Sequence, residues 1–312
     1  MKFVGIQNQI RRNNFNSAIL IFAFPILLLI MVYAFLRFGI SQNEVEAYNK
    51  FITIAPFIII GTTIWFFIAW FSHSYIIHLV TGSKPLERQD NKRVYNLLEN
   101  LCISLGMQMP KIFIVDDDSL NAFASGLNTK TFSISLSKGL VNRLEDDELE
   151  AVLAHELTHI RNRDVRVMII SIVFVGIFSF IAELAFRSLR YSSRPKSGNN
   201  KNAGVVILVA IVVSAICYLI SLLLRFGISR TREYLADAGA AETTRNPMAL
   251  ARALKKISHD PYIEAIQSRD IAQLFIDNPK PSAHGFSWDN LFATHPPITK
   301  RIEILESFST IE

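Results

Sequence analysis

Cysteine is scarce in this sequence of 312 residues, and its two copies lie far apart. They are Cys102 and Cys217, and the second falls inside a long apolar run. Two such distant thiols do not make the disulfide framework of a small secreted protein, and they exclude a metal cluster built on cysteine.

Charged residues are also few, at 19% of the chain, whereas hydrophobic residues make up 50%. The mean hydropathy is +0.29. This composition is typical of a protein that has both a membrane part and an aqueous part. The net charge of +5 is not accompanied by interleaved aromatic residues, so we expect no nucleic-acid partner. Basic flanks that face the anionic lipids of a bilayer explain the charge better.

Four apolar runs are long enough to cross the hydrocarbon core of a bilayer. They are residues 17–36, 51–71, 167–186 and 203–224, and only the third contains a charged residue, Glu183. Arg11 and Arg12 precede the first run, as basic residues do in a cleaved signal peptide. The run is too long for a signal peptide, and no small-residue cleavage site follows it. We therefore predict four transmembrane helices and an uncleaved N-terminal anchor.

The runs divide the chain into five predicted segments. These are a cytoplasmic N-terminus (1–16), a transmembrane hairpin (17–71), the first half of an aqueous domain (72–166), a second hairpin (167–224) and the second half of that domain (225–312). Basic residues precede the first run, whereas the loop that follows it carries Glu44 and Glu46. The positive-inside rule therefore places the N-terminus and the aqueous domain in the cytoplasm.

The second hairpin does not follow the same rule clearly. Its loop, residues 187–202, is basic and contains no acid, but the flanks on the opposite side are basic too. Charge therefore does not decide the orientation of this hairpin, and a shallow or re-entrant pair is the alternative to two full crossings.

The aqueous segments contain patterns of both helix and strand. Helical periodicity covers residues 92–105 and 228–241, and the apolar segments 111–115 and 131–136 are typical of short strands. The acids of residues 145–148 favour the start of a helix, and Asn246 before Pro247 predicts another. The predicted fold class is thus a mainly α membrane protein, with four transmembrane helices and an α+β domain that carries a small β-sheet.

One of these helices contains the sequence His-Glu-Leu-Thr-His. His155 and His159 are four residues apart and project from one face, so two imidazole nitrogens can bind one zinc ion. Zinc lowers the pKa of a bound water to about 7, and Glu156 is placed to accept the proton of that water. The motif predicts a catalytic Zn²⁺ site that needs one more protein ligand and an open position.

The third ligand is predicted on the helix that follows the second hairpin. Glu233 lies there, and Asp237 follows one turn later on the same face. Once the hairpin is set aside, the two motifs have the separation that is normal for a zinc site. The alternative for Glu233 is a surface carboxylate that pairs with Arg230 or Arg232. Asp164, just after the motif, is interpreted as a helix-end or ion-pair group rather than a fourth ligand.

Four segments together resemble one family. They are "NAFASG" (121–126), "HELTH" (155–159), "EYLAD" (233–237) and "THPPITKRI" (294–302). With these segments the chain resembles the HtpX-type membrane zinc endopeptidases, which are relatives of the CAAX prenyl endopeptidase. The resemblance covers nearly the whole chain. The resemblance implies a zincin-like catalytic domain with one zinc ion per chain. It implies that His155, His159 and Glu233 bind the metal and that Glu156 is the base. It also implies that an extended substrate lies along Asn121, Ala122, Phe123, Ala124 and Ser125, although so short a segment can also form a turn.

The C-terminal motif supplies two further candidates. A peptide hydrolase needs a donor for the oxyanion of the tetrahedral intermediate, and His295 is our candidate for it. Arg301 is expected to pair with Asp237, which would orient a ligand histidine, and the resemblance supports both roles. The alternative is a helix in which Pro296 and Pro297 only shape the turn and the arginine faces solvent.

The expected function is proteolytic quality control, in which misfolded or damaged membrane proteins are cleaved at the cytoplasmic face of the inner (plasma) membrane. The expected partners are polypeptide substrates and the lipid bilayer. Two alternatives are a protease that processes prenylated proteins and a non-catalytic membrane adaptor that retains the fold. Glu156 favours an enzyme, because a site that only stores metal needs no base beside its open position.

Overall fold

The computed structural model describes residues 6–41, 43–173, 187, 211–212, 215, 230–260 and 296–308. Most of the second predicted hairpin and His295 lie outside the described residues. Two compact units divide the chain. The first, called here the aqueous unit, contains residues up to 14, residues 72–169 and those from 226 onward; the second, the membrane unit, contains residues 15–71 and 170–225.

Two long helices supply the described part of the membrane unit. Helix α1 spans Ile6–Phe35 and runs into a π-helical segment, Leu36–Ile40, and helix α2 spans Glu44–Thr81. By length and composition both can cross a membrane, with mean hydropathies of 2.9 and 2.2 in their most apolar windows. Large apolar side chains on α2 are exposed, such as Phe57 at 72% and Phe71 at 78%. Such a surface suits contact with lipid, and the first two predicted runs lie within these helical segments.

The aqueous unit contains a four-stranded sheet. Its strands are β1 (Lys84–Pro85), β2 (Lys111–Val115), β3 (Ala122–Ser125) and β4 (Ser133–Ser137), in the spatial order β1-β2-β4-β3. Strands β2 and β4 are parallel, and the other two pairs are antiparallel. The strand predicted from residue 131 begins instead at Ser133. Thr131 is still part of the preceding turn, where its Oγ1 accepts hydrogen bonds from the amides of Leu127 and Asn128.

Helix α5 (Asp146–Asn162) carries the His-Glu-x-x-His motif, and it begins where the acidic residues predicted it. Glu145 and Glu148 form a capping box, in which each side chain accepts a hydrogen bond from the backbone of the other. Three acids in the first turn complement the positive end of the helix dipole. The helix ends at Arg163, whose φ of 60° is left-handed.

The other described helices of this unit surround the sheet and α5. They include α3 (Lys92–Leu105), α4 (Lys138–Arg143), α6 (Arg230–Thr244), α7 (Pro247–Ile257) and α8 (Ile298–Ser307). A further helical stretch follows α5 from residue 164. The predicted span of α3 agrees with the structure, and Asn246 caps α7 through its side chain, as predicted. Helix α5 packs against α6, α7 and β3, which places its motif at the centre of the unit.

The crossing of α5 and α6 is close because one helix presents a glycine. A Cβ atom on Gly239 would lie 2.6 Å from Cγ2 and 2.9 Å from Oγ1 of Thr158. Only a residue without a side chain fits this contact. The close approach brings the first turn of α6, which contains Glu233, against the histidines of α5.

Candidate metal centre and active site

The structure brings together the three residues predicted to bind a metal. His155 and His159 project from one face of α5, and Glu233 approaches them from the first turn of α6. One ligand atom from each lies within 4.8 Å of the other two. His155 and Glu233 are buried, and the side chain of His159 is 14% exposed. The alternative of a surface carboxylate for Glu233 is therefore wrong, since α6 packs this side chain against α5.

The spacing of these atoms fits a tetrahedral metal. Nε2 of His155 and Nε2 of His159 are 3.2 Å apart, and they lie 3.7 and 3.6 Å from the nearest oxygens of Glu233. In a tetrahedral zinc site with bonds of about 2.0–2.1 Å, neighbouring ligand atoms are about 3.3 Å apart. Two imidazoles and one carboxylate are also the ligand set that leaves a fourth position for water.

His155 is oriented by a buried ion pair. Its Nδ1 lies 3.0 Å from Oδ1 of Asp237, and Arg301 donates to both oxygens of this carboxylate, at 2.8 and 2.7 Å. The predicted pairing of Arg301 with Asp237 is thus present, and Arg301 is buried rather than facing solvent. An aspartate at Nδ1 directs the free lone pair of Nε2 towards a metal.

His159 is oriented in the same way by a residue that the sequence analysis did not connect with it. Its Nδ1 lies 3.1 Å from Oδ2 of Asp164. The interpretation of Asp164 as a helix-end or ion-pair group agrees with this position, because the residue follows the end of α5 and pairs with His159; the sequence did not indicate that its partner is a candidate ligand. Its signal in the sequence is a carboxylate five residues after the second histidine of the motif, where the chain turns back towards that side chain.

Glu156 is buried beside these ligands and contacts strand β3. The backbone of Ala124 lies close enough to the Glu156 carboxylate to favour its charged form. In the antiparallel pair of β3 and β4, the amide of Ser137 donates a hydrogen bond to the carbonyl of Asn121. From this pair onward, every second residue of β3 forms backbone hydrogen bonds with β4, and the residues between them do not. The backbone groups of Ala122 and Ala124 therefore point away from β4, at the free edge of the sheet, and that of Ala124 faces the base.

The predicted substrate strand lies at the sheet edge, but it is not exposed. Its members are at most 3% exposed; they are Asn121, Ala122, Phe123, Ala124 and Ser125. The alternation of small and apolar residues in this segment indicates an exposed edge strand; the edge position is present, but the exposure is not. Helix α5 packs against β3 and covers it, and the Glu156 carboxylate on that helix lies against the backbone of Ala124. The alternative of an ordinary turn is also wrong for Ala122–Ser125, which form a strand.

The electrostatics of the site favour a bound cation. Four carboxylates are buried here (Glu156, Asp164, Glu233 and Asp237) against the two buried guanidiniums of Arg232 and Arg301. Burial raises the pKa of Glu156, and the neighbouring histidines oppose that rise. Burial alone would lower the pKa of His155, but Asp237 and Glu233 raise it to about 9. The buried carboxylates thus favour positive charge at this position, which protons on His155 and Glu156 supply in the absence of a metal and a divalent ion would supply in their place.

Burial also acts on Asp237, where it favours the neutral acid. Arg301 and His155 outweigh that effect and hold the pKa of Asp237 below its ordinary value. Asp237 is thus an anion within the site, as the orientation of His155 requires. Among the described residues, His155, His159 and Glu233 are the group arranged to hold a metal.

Comparison with known proteins agrees with this geometry. The sequence profile of peptidase family M48 matches residues 88–309. A protease HtpX homolog of Bacteroides fragilis (strain YCH46) is 55% identical, and the alignment covers 99% of this chain and 100% of the relative. A protease HtpX homolog of Tropheryma whipplei (strain Twist) is 35% identical over 95% of this chain and 96% of its own length.

A solved structure is similar over most of the chain. The crystal structure of Ste24p from S. mikatae aligns with a TM-score of 0.49 and 22% sequence identity. The alignment covers 95% of this chain and 66% of the Ste24p chain.

Proposed function

The chain belongs to peptidase family M48 and is a membrane metalloprotease, and we propose that it uses one zinc ion to cleave misfolded or damaged membrane proteins at the cytoplasmic face. The observation that carries the choice of zinc is the convergence of His155, His159 and Glu233. Two nitrogens and one oxygen, each histidine backed by an aspartate, form the environment that zinc prefers in hydrolases.

The residues of the site have separate tasks in this proposal. Zinc would supply the polarisation of the peptide carbonyl and of the attacking water. Glu156 takes the proton of that water on its carboxylate and delivers it to the leaving nitrogen. The raised pKa of Glu156 suits a group that must both accept and release a proton. His295 remains our sequence-based candidate for the donor to the oxyanion.

Strand β3 supports the binding of an extended polypeptide. Main-chain groups of Ala122 and Ala124 point away from β4, and a substrate strand can pair with such groups with little demand on its sequence. In this structure their amides face the side chains of Asn121 and Glu156, so a substrate would pair with β3 by displacing these contacts. This low selectivity suits an enzyme that cleaves unfolded segments of many proteins. The same strand contacts the base at Ala124, so a paired substrate would lie next to the reacting groups.

The test of the enzymatic proposal is a set of variants of the full chain purified in detergent. Glu156→Gln is expected to keep zinc and the fold while casein cleavage falls by about 10²–10⁴-fold, the usual contribution of a general base. His155→Ala and Glu233→Ala are expected to lose zinc as well. Glu150→Gln, on the same helix, is the control and should cleave like the wild type. Cleavage by the Glu156→Gln variant at the wild-type rate would reject this mechanism.

The cytoplasmic orientation is tested by labelling single cysteines in intact cells. Asn121 is predicted to be cytoplasmic but is buried, so the exposed Lys130 of the same segment serves as the reference. Residue 130 is expected to be inaccessible from outside until the membrane is permeabilised, whereas residue 46 should react from outside. Residue 194 should be poorly accessible from the cytoplasm if the second predicted hairpin crosses fully. Equal cytoplasmic labelling of residues 194 and 130 would favour the re-entrant alternative.

A further inference from the structure

Asn13, in helix α1, is buried against the end of α5 within the aqueous unit. Its side chain is 1% exposed. Its amide nitrogen lies 2.8 Å from the carbonyl oxygen of Asn162 and 2.6 Å from Oδ1 of Asp164. A carbonyl and a carboxylate only accept hydrogen bonds, so the amide of Asn13 donates both its hydrogens here.

Asp164 therefore uses its two oxygens for two different partners. Oδ1 accepts from Asn13, and Oδ2 lies 3.1 Å from Nδ1 of His159. Nε2 of that ring is one of the three atoms that converge on the candidate metal position. A continuous series of contacts thus leads from Asn13 through Asp164 to a metal ligand.

The carboxylate of Asp164 does not belong to the helix that carries the histidines. Asp164 follows Arg163, whose left-handed φ of 60° ends α5, and it begins the next helical stretch. The position of this carboxylate relative to His159 therefore depends on contacts made from outside α5, of which the hydrogen bond from Asn13 is one. For the first histidine the equivalent support is Arg301, which holds Asp237.

We propose that Asn13 is a positioning residue of the metal site: it holds the Asp164 carboxylate, and thereby keeps the His159 ring in the tautomer and orientation that bind the metal. The inference rests on the proposed zinc site and adds to it a residue far outside the motifs that supply the ligands. Outer partners of this kind commonly change metal affinity by about 10–100-fold when they are removed.

The neighbouring residue provides a matched control. Oδ1 of Asn14 accepts hydrogen bonds from Arg163 at 3.2 Å and from Arg166 at 3.4 Å. Asn14 therefore ties the same turn of α1 to the same region of the unit through bonds that do not involve Asp164. If Asn13 only anchored the helix, Asn13→Ala and Asn14→Ala would have the same consequences.

The first experiment measures zinc affinity of the full-length protein in detergent, by competition with a chelating dye. Asn13→Ala is expected to weaken zinc binding by about tenfold, and Asn14→Ala by less than about twofold, since only the first acts on an outer partner of a ligand. Thermal unfolding of both variants shows whether they lose stability equally. Equal losses of zinc affinity in the two variants, or none in Asn13→Ala, would overturn the inference.

A second readout does not depend on loaded enzyme. In metal-free protein labelled with ¹⁵N-histidine, NMR is expected to report His159 with its proton on Nδ1 in the wild type and in Asn14→Ala. In Asn13→Ala the signal should move towards a mixture of tautomers. Asn13→Asp conserves the size of the side chain but replaces the hydrogen-bond donor by an acceptor. If the alanine variant does not fold, the tautomer of His159 and the zinc affinity are measured in Asn13→Asp instead. A wild-type signal and zinc affinity in Asn13→Asp would then overturn the inference.

A double-mutant cycle tests whether Asn13 acts through Asp164. In the Asp164→Asn background, Asn13→Ala should weaken zinc binding by less than about twofold more, because coupled residues are not additive. Two losses that simply multiply would show independent roles and overturn the inference. A wild-type protein that binds no zinc would overturn the proposed function and this inference together, whereas the variant results bear on the inference alone.

Discussion

Arg301 and Asp237 are joined by two parallel hydrogen bonds in the buried interior, from Nε to Oδ2 at 2.8 Å and from Nη2 to Oδ1 at 2.7 Å. Nη1 of the same guanidinium lies 3.6 Å from Oε2 of Glu233. One arginine on helix α8 thus faces both the carboxylate that orients His155 and the carboxylate that is a candidate ligand. The metal site depends on this late segment of the chain for its charge balance.

We predict that Arg301→Ala destabilises the protein and weakens metal binding together. The substitution leaves two carboxylates buried without this partner, and breaking a buried ion pair in this way costs about 3–5 kcal/mol. Urea unfolding and zinc content of the purified variant measure the two effects. Lys300→Ala, at an exposed neighbour on the same helix, is the control and should change neither. A stable Arg301→Ala variant with full zinc content would contradict the role given to this residue.

Gly239 provides a prediction about the distance between the two halves of the site. Gly239→Ala would place a methyl group 2.6 Å from Cγ2 of Thr158, so α6 must move away from α5 and take Glu233 with it. Overpacking of this kind costs about 1–3 kcal/mol, and zinc affinity should fall as well. Adding Thr158→Ala removes the clashing atoms and should restore both quantities towards the wild type. Failure of the double variant to recover would show that the glycine is needed for another reason.

Strand β3 is expected to act on both substrate and base. Ala124→Pro removes the amide that contacts Glu156 and should therefore lower kcat and raise KM for a peptide substrate. Ala122→Pro removes an outward-facing amide whose described acceptor is the side chain of Asn121, so it should mainly raise KM. Zinc content and thermal unfolding establish that both variants are folded. Identical kinetic defects in the two folded variants would argue against a special contact between Ala124 and the base.

His295 is tested as the donor to the oxyanion. His295→Ala is expected to keep zinc and substrate affinity while kcat falls by about 10²-fold or more, as for other lost oxyanion donors. Steady-state kinetics with a quenched-fluorescent peptide separate kcat from KM. A variant in which only KM rises would assign this histidine to substrate binding, and the oxyanion role would pass to another group.

Local features of the fold were predictable from the sequence. Helix α3 has its predicted bounds because its amphipathic pattern is enclosed by Asn91, which caps it, and Gly106, which ends it in a left-handed conformation. The start of α7 at Asn246 and Pro247 follows from similar local chemistry. The pair His155 and His159 is also local, since four residues make about one turn of a helix.

Features that join distant segments were harder to predict. Nothing in the spacing of Asn13 and Asp164 relates them, because their contact exists only after α1 and α5 have packed together. The burial of β3 likewise depends on helix α5, and the sequence of "NAFASG" alone indicates an exposed edge. Glu233 was predictable because its separation from His159, once the second hairpin is set aside, is normal for a zinc site, and the family resemblance supported the same residue.

The residues that support the two histidines lie in different parts of the sequence, and this affects the order in which the site is made during synthesis. His159 is supported by Asp164 and, through it, by Asn13 near the beginning of the sequence, whereas His155 is supported by Asp237 and, through it, by Arg301. A ribosome has therefore made both histidines and the base long before it reaches the arginine that balances their site. Until Arg301 has been made and packed, the chain carries these groups without the guanidinium that binds Asp237 and faces Glu233.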